Sequence, residues 1–137
     1  MSAVAVNIGA GNYNGPPLLI LVCDDERHIV RLIQVNLERQ GHTVVCAFNG
    51  EQAIEQIQSR INSESKMFDL IFLDVMMPKK DGFEVLKWVR THPETENIRV
   101  IMKIAKTDDQ EVFKDYAHQP DKYLLAPFNP LELLDLR

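Results

Sequence analysis

Large apolar residues along this chain fall into two rhythms. Runs such as Leu18-Leu19-Ile20-Leu21-Val22-Cys23 and Leu70-Ile71-Phe72-Leu73 are apolar at every position, the pattern of strands buried on both faces. Between such runs the spacing changes to threes and fours. Ile29, Leu32, Ile33 and Leu37 mark one face of a first helix that Gly41 ends, Ala53, Ile54, Ile57 and Ile61 a second, and Phe83, Leu86 and Val89 a third. Asn49 with Gln52, Asp81 with Glu84, and Thr107 with Gln110 set a capping side chain three residues ahead of Gln or Glu, the signature of a helix start. Strands are expected at Leu18–Asp24, at Thr43–Ala47, in the run ending at Asp74, at Ile98–Ala105 and at Lys122–Leu125. Asn129, Pro130 and Glu132 open a last helix.

Five strands alternating with five helices imply an α/β fold, a parallel sheet covered on both faces. The alternation starts at Leu18, so residues 18–137 are read as one domain and the Gly- and Asn-rich residues 1–17 as a flexible leader. Gly9, Gly11 and Gly15 are mis-spaced for a dinucleotide loop and precede a strand instead of following one. The chain's 137 residues suffice for one sizeable core. A net charge of -5 argues against a nucleic-acid surface. No basic residue precedes Arg27, and the longest apolar run near the start is too short to span a bilayer. Cys23 and Cys46 fall inside expected strands and read as buried reduced thiols, which suits a cytoplasmic setting.

The chemistry lies where two strand runs stop. The first ends in Asp24-Asp25-Glu26 and the third in Asp74, followed by Met76-Met77-Pro78 and Asp81-Gly82. Parallel strands deliver these carboxylates to one end of the sheet, where open α/β folds bind ligands. Gathered like charges raise one another's pKa unless a cation neutralises them. Hard oxygen ligands with room for water suit Mg²⁺, and an aspartate beside it can attack a phosphoryl group. His28, His42, His92 and His118 show no metal spacing and read as surface residues, and Arg27, Arg31 and Arg39 as the solvated face of the first helix.

The Asp24-Asp25 pair, the Asp74…Met77-Pro78…Asp81-Gly82 loop and the Pro127-Phe128 pair resemble receiver domains of two-component response regulators. The resemblance covers Leu18 to the C-terminus and implies a flavodoxin-like (βα)5 three-layer sandwich. It also implies that Asp74 is the phosphoacceptor and that Asp24 and Asp25 hold Mg²⁺, with Asp74 and the Met76 backbone carbonyl completing the ligands. Tyr123 matches the switch aromatic, and the face of the fourth helix, fifth strand and fifth helix the output surface. The implied partners are a histidine kinase or phosphotransfer protein and a downstream protein or fused effector domain, with homodimerisation open and neither nucleic acid nor membrane bound directly. Apart from its own phosphorylation and dephosphorylation, no enzymatic activity is implied.

Two positions depart from the resemblance. Ile104 stands where the family carries Ser or Thr, and Ala126 where it carries Lys; both losses remove groups that contact phosphoryl oxygens. Lys106 falls at a loop position near the site. Lys103, in the family register, points into the helix-covered layer and is expected to reach the surface, since only a one-residue slip would turn it to the site. These departures keep a second reading open, a pseudo-receiver that binds protein without phosphorylation.

Overall fold

A computed structural model of the chain describes residues 15–105, 113–114 and 116–135, the side chains of 134 and 135 excepted. Five strands form one sheet: β1 (Leu19–Cys23), β2 (Thr43–Ala47), β3 (Leu70–Asp74), β4 (Arg99–Ala105) and β5 (Lys122–Ala126). Their order is β2-β1-β3-β4-β5 and every pairing is parallel. This is the doubly wound order in which the chain reverses its winding beside β1, opening a crevice at the strands' carboxyl ends. The helices are α1 (Arg27–Arg39), α2 (Gly50–Asn62), α3 (Gly82–Arg90) and α4 (Glu132–Asp135). The helix expected to open at Thr107 begins outside the described residues, as do Lys106 and most of the leader.

The helix starts follow the capping chemistry. Asn49 accepts from the Gln52 N–H at 2.8 Å, and Gln52 in turn accepts from Phe48 N–H. Asp81 and Glu84 form a full capping box. Asn129 accepts from Leu131 N–H while Glu132 accepts from Asn129 N–H, both at 2.9 Å. Gly41, with φ +95°, supplies the left-handed residue that turns the chain from α1 into β2.

Alternation along the buried strands divides the core into two layers. Leu21, Ile71, Leu73, Met102 and Ile104 pack with Ala53 and Ile57 of α2 and Val85, Leu86 and Val89 of α3. Ile20, Val22, Phe72 and Ile101 pack on the other face with Val30, Ile33 and Leu37 of α1 and Leu133 of α4. The α1 stripe is rotated from its expected line: Val30 is buried and Leu32 is half exposed. His42 is another correction. It is buried, and its Nδ1 accepts from the Leu18 N–H at 2.9 Å, capping the start of β1 from the adjacent turn. Cys23 is buried and Cys46 half-buried, both as free thiols.

Candidate functional site

The two central strands, β1 and β3, end side by side and each hands over a carboxylate. Asp74 is the last residue of β3 and is nearly buried; Asp24 follows β1 and has no exposed surface. The Asp24 N–H donates to Ala47 O, and its Oδ1 accepts from Glu26 N–H at 3.0 Å, which fixes the turn into α1. Asp25 faces solvent, yet it offers an oxygen within 4.8 Å of one from each of the other two. Past Asp74 the chain folds back at once. Val75 N–H donates to Lys103 O and Gly82 N–H to Val75 O, which clips the start of α3 onto the strand end. Lys79 and Lys80 take left-handed conformations, φ 57° and 84°, within this tight loop.

Lys103 overturns its expectation. Its ammonium lies 2.7 Å from Asp24 Oδ2, 3.4 Å from Glu26 Oε1 and 3.7 Å from Asp74 Oδ2, with little solvent contact. No strand slip is involved, because Asp74 aligns with Lys103 in the β3–β4 register. The physical reason is parity. Asp24, Asp74 and Lys103 follow Val22, Phe72 and Ile101 by two residues, so all three belong to the layer under α1 and α4. The helix-covered layer and the acidic site are continuous, and the lysine meets the acids where that layer opens. An ammonium buried there is stabilised by the charges it faces.

These groups set one another's protonation in the metal-free protein. Burial and then the Asp24 carboxylate push the Asp74 carboxyl up to about 7, while the Lys103 ammonium and the Met76 N–H pull against them. Burial pulls Lys103 down, but the hydrogen bond and charge of Asp24, backed by Asp74 and Glu26, hold it above the ordinary lysine value. Burial and the three aspartates push the Cys23 thiol up to about 12, which leaves it protonated filler beneath the site.

The remaining candidates separate by face. Ile104 is buried in the α2–α3 layer. Ala126 lies on the Lys103 side, and the two share a cavity of about 410 Å³ with Glu26, Ile33, Pro127 and Phe128. Met76 is exposed and contributes its N–H to Asp74. Tyr123 is half-buried on the opposite side, where its hydroxyl donates to Gln119 Oε1 at 3.1 Å. It joins a cluster of rings: Phe83 stands 4.3 Å from Tyr116, 5.1 Å from Phe113 and 6.5 Å from Tyr123 between ring centroids. Sequence reading placed Phe83 in the apolar face of α3 and missed its role as hub of this cluster. It also missed Glu26 as a partner of Lys103, although Glu26 adjoins the acidic pair.

The donor set fits a small hard divalent cation. Three carboxylates converge without a histidine or thiolate among them, which is the chemistry of Mg²⁺ rather than zinc. The model of the response regulator receiver domain matches residues 20–136. This chain belongs to that family. The receiver is 40% identical over 114 residues to the alkaline phosphatase synthesis transcriptional regulatory protein PhoP of Bacillus subtilis, a match spanning 83% of this chain and 44% of that protein. It is 37% identical over 115 residues to the transcriptional regulatory protein CpxR of Escherichia coli, spanning 84% and 45%. The receiver thus spans under half the length of these two curated relatives. A putative response regulator of Chloroflexus aurantiacus superposes with a TM-score of 0.75 at 29% identity, covering 88% of this chain and 93% of its own. The chemotaxis response regulator CheY4 of Vibrio cholerae superposes at 0.73 with 28% identity, covering 88% and 95%. The flavodoxin-like expectation holds: the strand order and these neighbours agree. Among the described residues no helix is long and apolar enough to cross a membrane.

Proposed function

We propose that this receiver accepts a phosphoryl group on Asp74, with Mg²⁺ held by Asp24, Asp25, Asp74 and the Met76 carbonyl, and signals through the surface built on β5. The observation that carries the reading is the convergence of the three aspartates at the carboxyl ends of β1 and β3. The donor is a phosphohistidine on a histidine kinase or phosphotransfer protein. An oxygen of Asp74 forms the new O–P bond as the N–P bond breaks, and the electron pair leaves with the imidazole. Asp74 must be ionised to attack, and the Met76 N–H and the Lys103 ammonium favour that form. Bound Mg²⁺ would offset the gathered negative charge and stabilise the charge on the transferring oxygens. Asp24 has its second oxygen tied to the Glu26 N–H, so it stays oriented while the reaction proceeds.

The ring cluster of Phe83, Phe113, Tyr116 and Tyr123 is the natural output surface, since Tyr116 leaves an aromatic edge in solvent. The protein that reads it is a fused effector domain, a separate partner or a second copy of the receiver, in the cytoplasm. A second reading, a phosphorylation-independent binding module, draws on the buried Ile104, which offers no hydroxyl. Incubation with Mg²⁺ and a small acyl phosphate, followed by intact-mass measurement, separates the two. The phosphoacceptor reading expects added phosphoryl mass in the parent and none in Asp74→Asn. An unmodified parent supports the binding module.

A further inference from the structure

Lys103 sits where two cations would compete. Its ammonium hydrogen-bonds Asp24 at 2.7 Å and stands 3.7 Å from Asp74, inside the same group of oxygens that fits a divalent ion. A buried acid cluster cannot hold both charges in one place. The lysine stem is long and flexible, and the space beside it is open. Lys103 aligns with Leu124 on β5, which puts Ala126 two residues along on the same sheet face. Ala126 fills little of that space, and a cavity of about 410 Å³ extends from Lys103 past Ala126 to Pro127.

We propose that Lys103 is a movable counter-ion and a catalytic residue of this receiver. It neutralises Asp24 in the metal-free protein. When Mg²⁺ enters, it swings over Ala126 to pair with the phosphoryl oxygens on Asp74. The inference rests on the phosphoacceptor reading. In the transfer, the Asp74 oxygen gains phosphorus while the donor departs with the electron pair of the broken bond. Lys103 keeps all its protons and contributes charge-assisted hydrogen bonds to the transferred group. β4 thereby supplies a cation where the short Ala126 side chain on β5 supplies none.

Two effects of opposite sign distinguish this role from a structural one. Lys103→Met removes the competitor, so Mg²⁺ affinity of the full chain, measured by calorimetric titration without phosphodonor, should rise on the order of tenfold. The same substitution removes the phosphoryl contact, so phosphorylation by acetyl phosphate at saturating Mg²⁺ should slow by about a hundredfold. In Lys103→Leu combined with Ala126→Lys the cation returns from the neighbouring strand, and the rate should recover most of the loss. Ala126→Lys alone should gain less than about threefold, because the place is filled. Phosphorylation of Lys103→Met at the parental rate would overturn the proposal. So would a loss of both Mg²⁺ binding and phosphorylation that the double variant fails to rescue, since that marks Lys103 as a structural support. A parent that gains no phosphoryl mass overturns the phosphoacceptor reading itself; the magnesium titration of Lys103→Met then decides the counter-ion half, with unchanged affinity refuting it.

Discussion

Gly82→Ala tests how tightly the start of α3 is pressed onto the strand that ends in Asp74. A Cβ on Gly82 would stand 2.6 Å from the Met102 terminal methyl, 3.0 Å from Val75 Cα and closer still to the Asp74 carbonyl oxygen. The Met102 methyl can rotate away, since that side chain is flexible. The two backbone atoms cannot, so α3 and the end of β3 must part by a sizeable fraction of an ångström. Overpacking of this kind costs about 1–3 kcal/mol, and replacing glycine within a helix returns at most about 0.5–1 kcal/mol. The expected net loss is about 1–2 kcal/mol, or on the order of 5 °C in Tm for a domain of this size. Because the displaced atoms belong to Asp74 and Val75, the carboxylate moves too, and misplacing a reacting group by about an ångström costs on the order of a hundredfold in rate. Urea denaturation and acyl-phosphate labelling read the two effects separately. Gly41→Ala is the control. Its added methyl meets nothing within 4 Å, but φ +95° is strained for alanine, so it should lose about 1–2 kcal/mol with no change in labelling. A Gly82→Ala protein as stable as the parent, or one destabilised yet labelled at the parental rate, would refute the close packing of α3 on Asp74.

Three further outcomes follow from the site. Mg²⁺ should raise Tm, and Asp25→Asn, which removes the exposed carboxylate of the group of three, should abolish that response while leaving the metal-free protein folded; an unchanged magnesium response excludes Asp25. In the metal-free protein Asp74 is pushed up to about 7 from 3.8, so the folded state holds a proton across that window that the unfolded state has lost. Its contribution to stability is present at low pH and is lost as pH rises through about 7. The parent in chelator should therefore lose more Tm than Asp74→Asn between pH 5.5 and 8, and Mg²⁺ should stabilise the parent more at pH 8; equal slopes in the two proteins would contradict the raised carboxyl. Ile104 is buried without a hydroxyl, and Tyr123 packs against the same layer. A beryllofluoride mimic with Mg²⁺ should accordingly shift resonances around Asp74 yet barely move Tyr123, whereas Ile104→Thr should lengthen the reach of the response; large shifts at Tyr123 in the parent would refute the uncoupling.

Local signals were written in the chain in a form that needs no tertiary knowledge. Continuous apolar runs gave the strands, and the Asn49, Asp81 and Asn129 caps gave helix starts that hold to within a residue or two. Each depends only on residues a few positions apart, which is why pattern suffices. The acidic group was legible for a related reason: Asp24 and Asp74 close two apolar runs, and parallel strands must end on the same side. The sequence thus determined the fold class and the three carboxylates. Only the tertiary structure decided Lys103. Its place depends on which face of β4 shares a layer with Asp24 and Asp74, and that parity is set by the pairing of Asp74 with Lys103 across β3 and β4, a register that no spacing within one strand encodes. His42 and Phe83 belong to the same class. A histidine in a turn looks solvated until its neighbour proves to be the N–H of Leu18, just ahead of β1, and a phenylalanine on a helix face looks like core until Phe113, Tyr116 and Tyr123 gather around it. Contacts between residues tens of positions apart are made by packing, and packing is where the sequence's local rules stop.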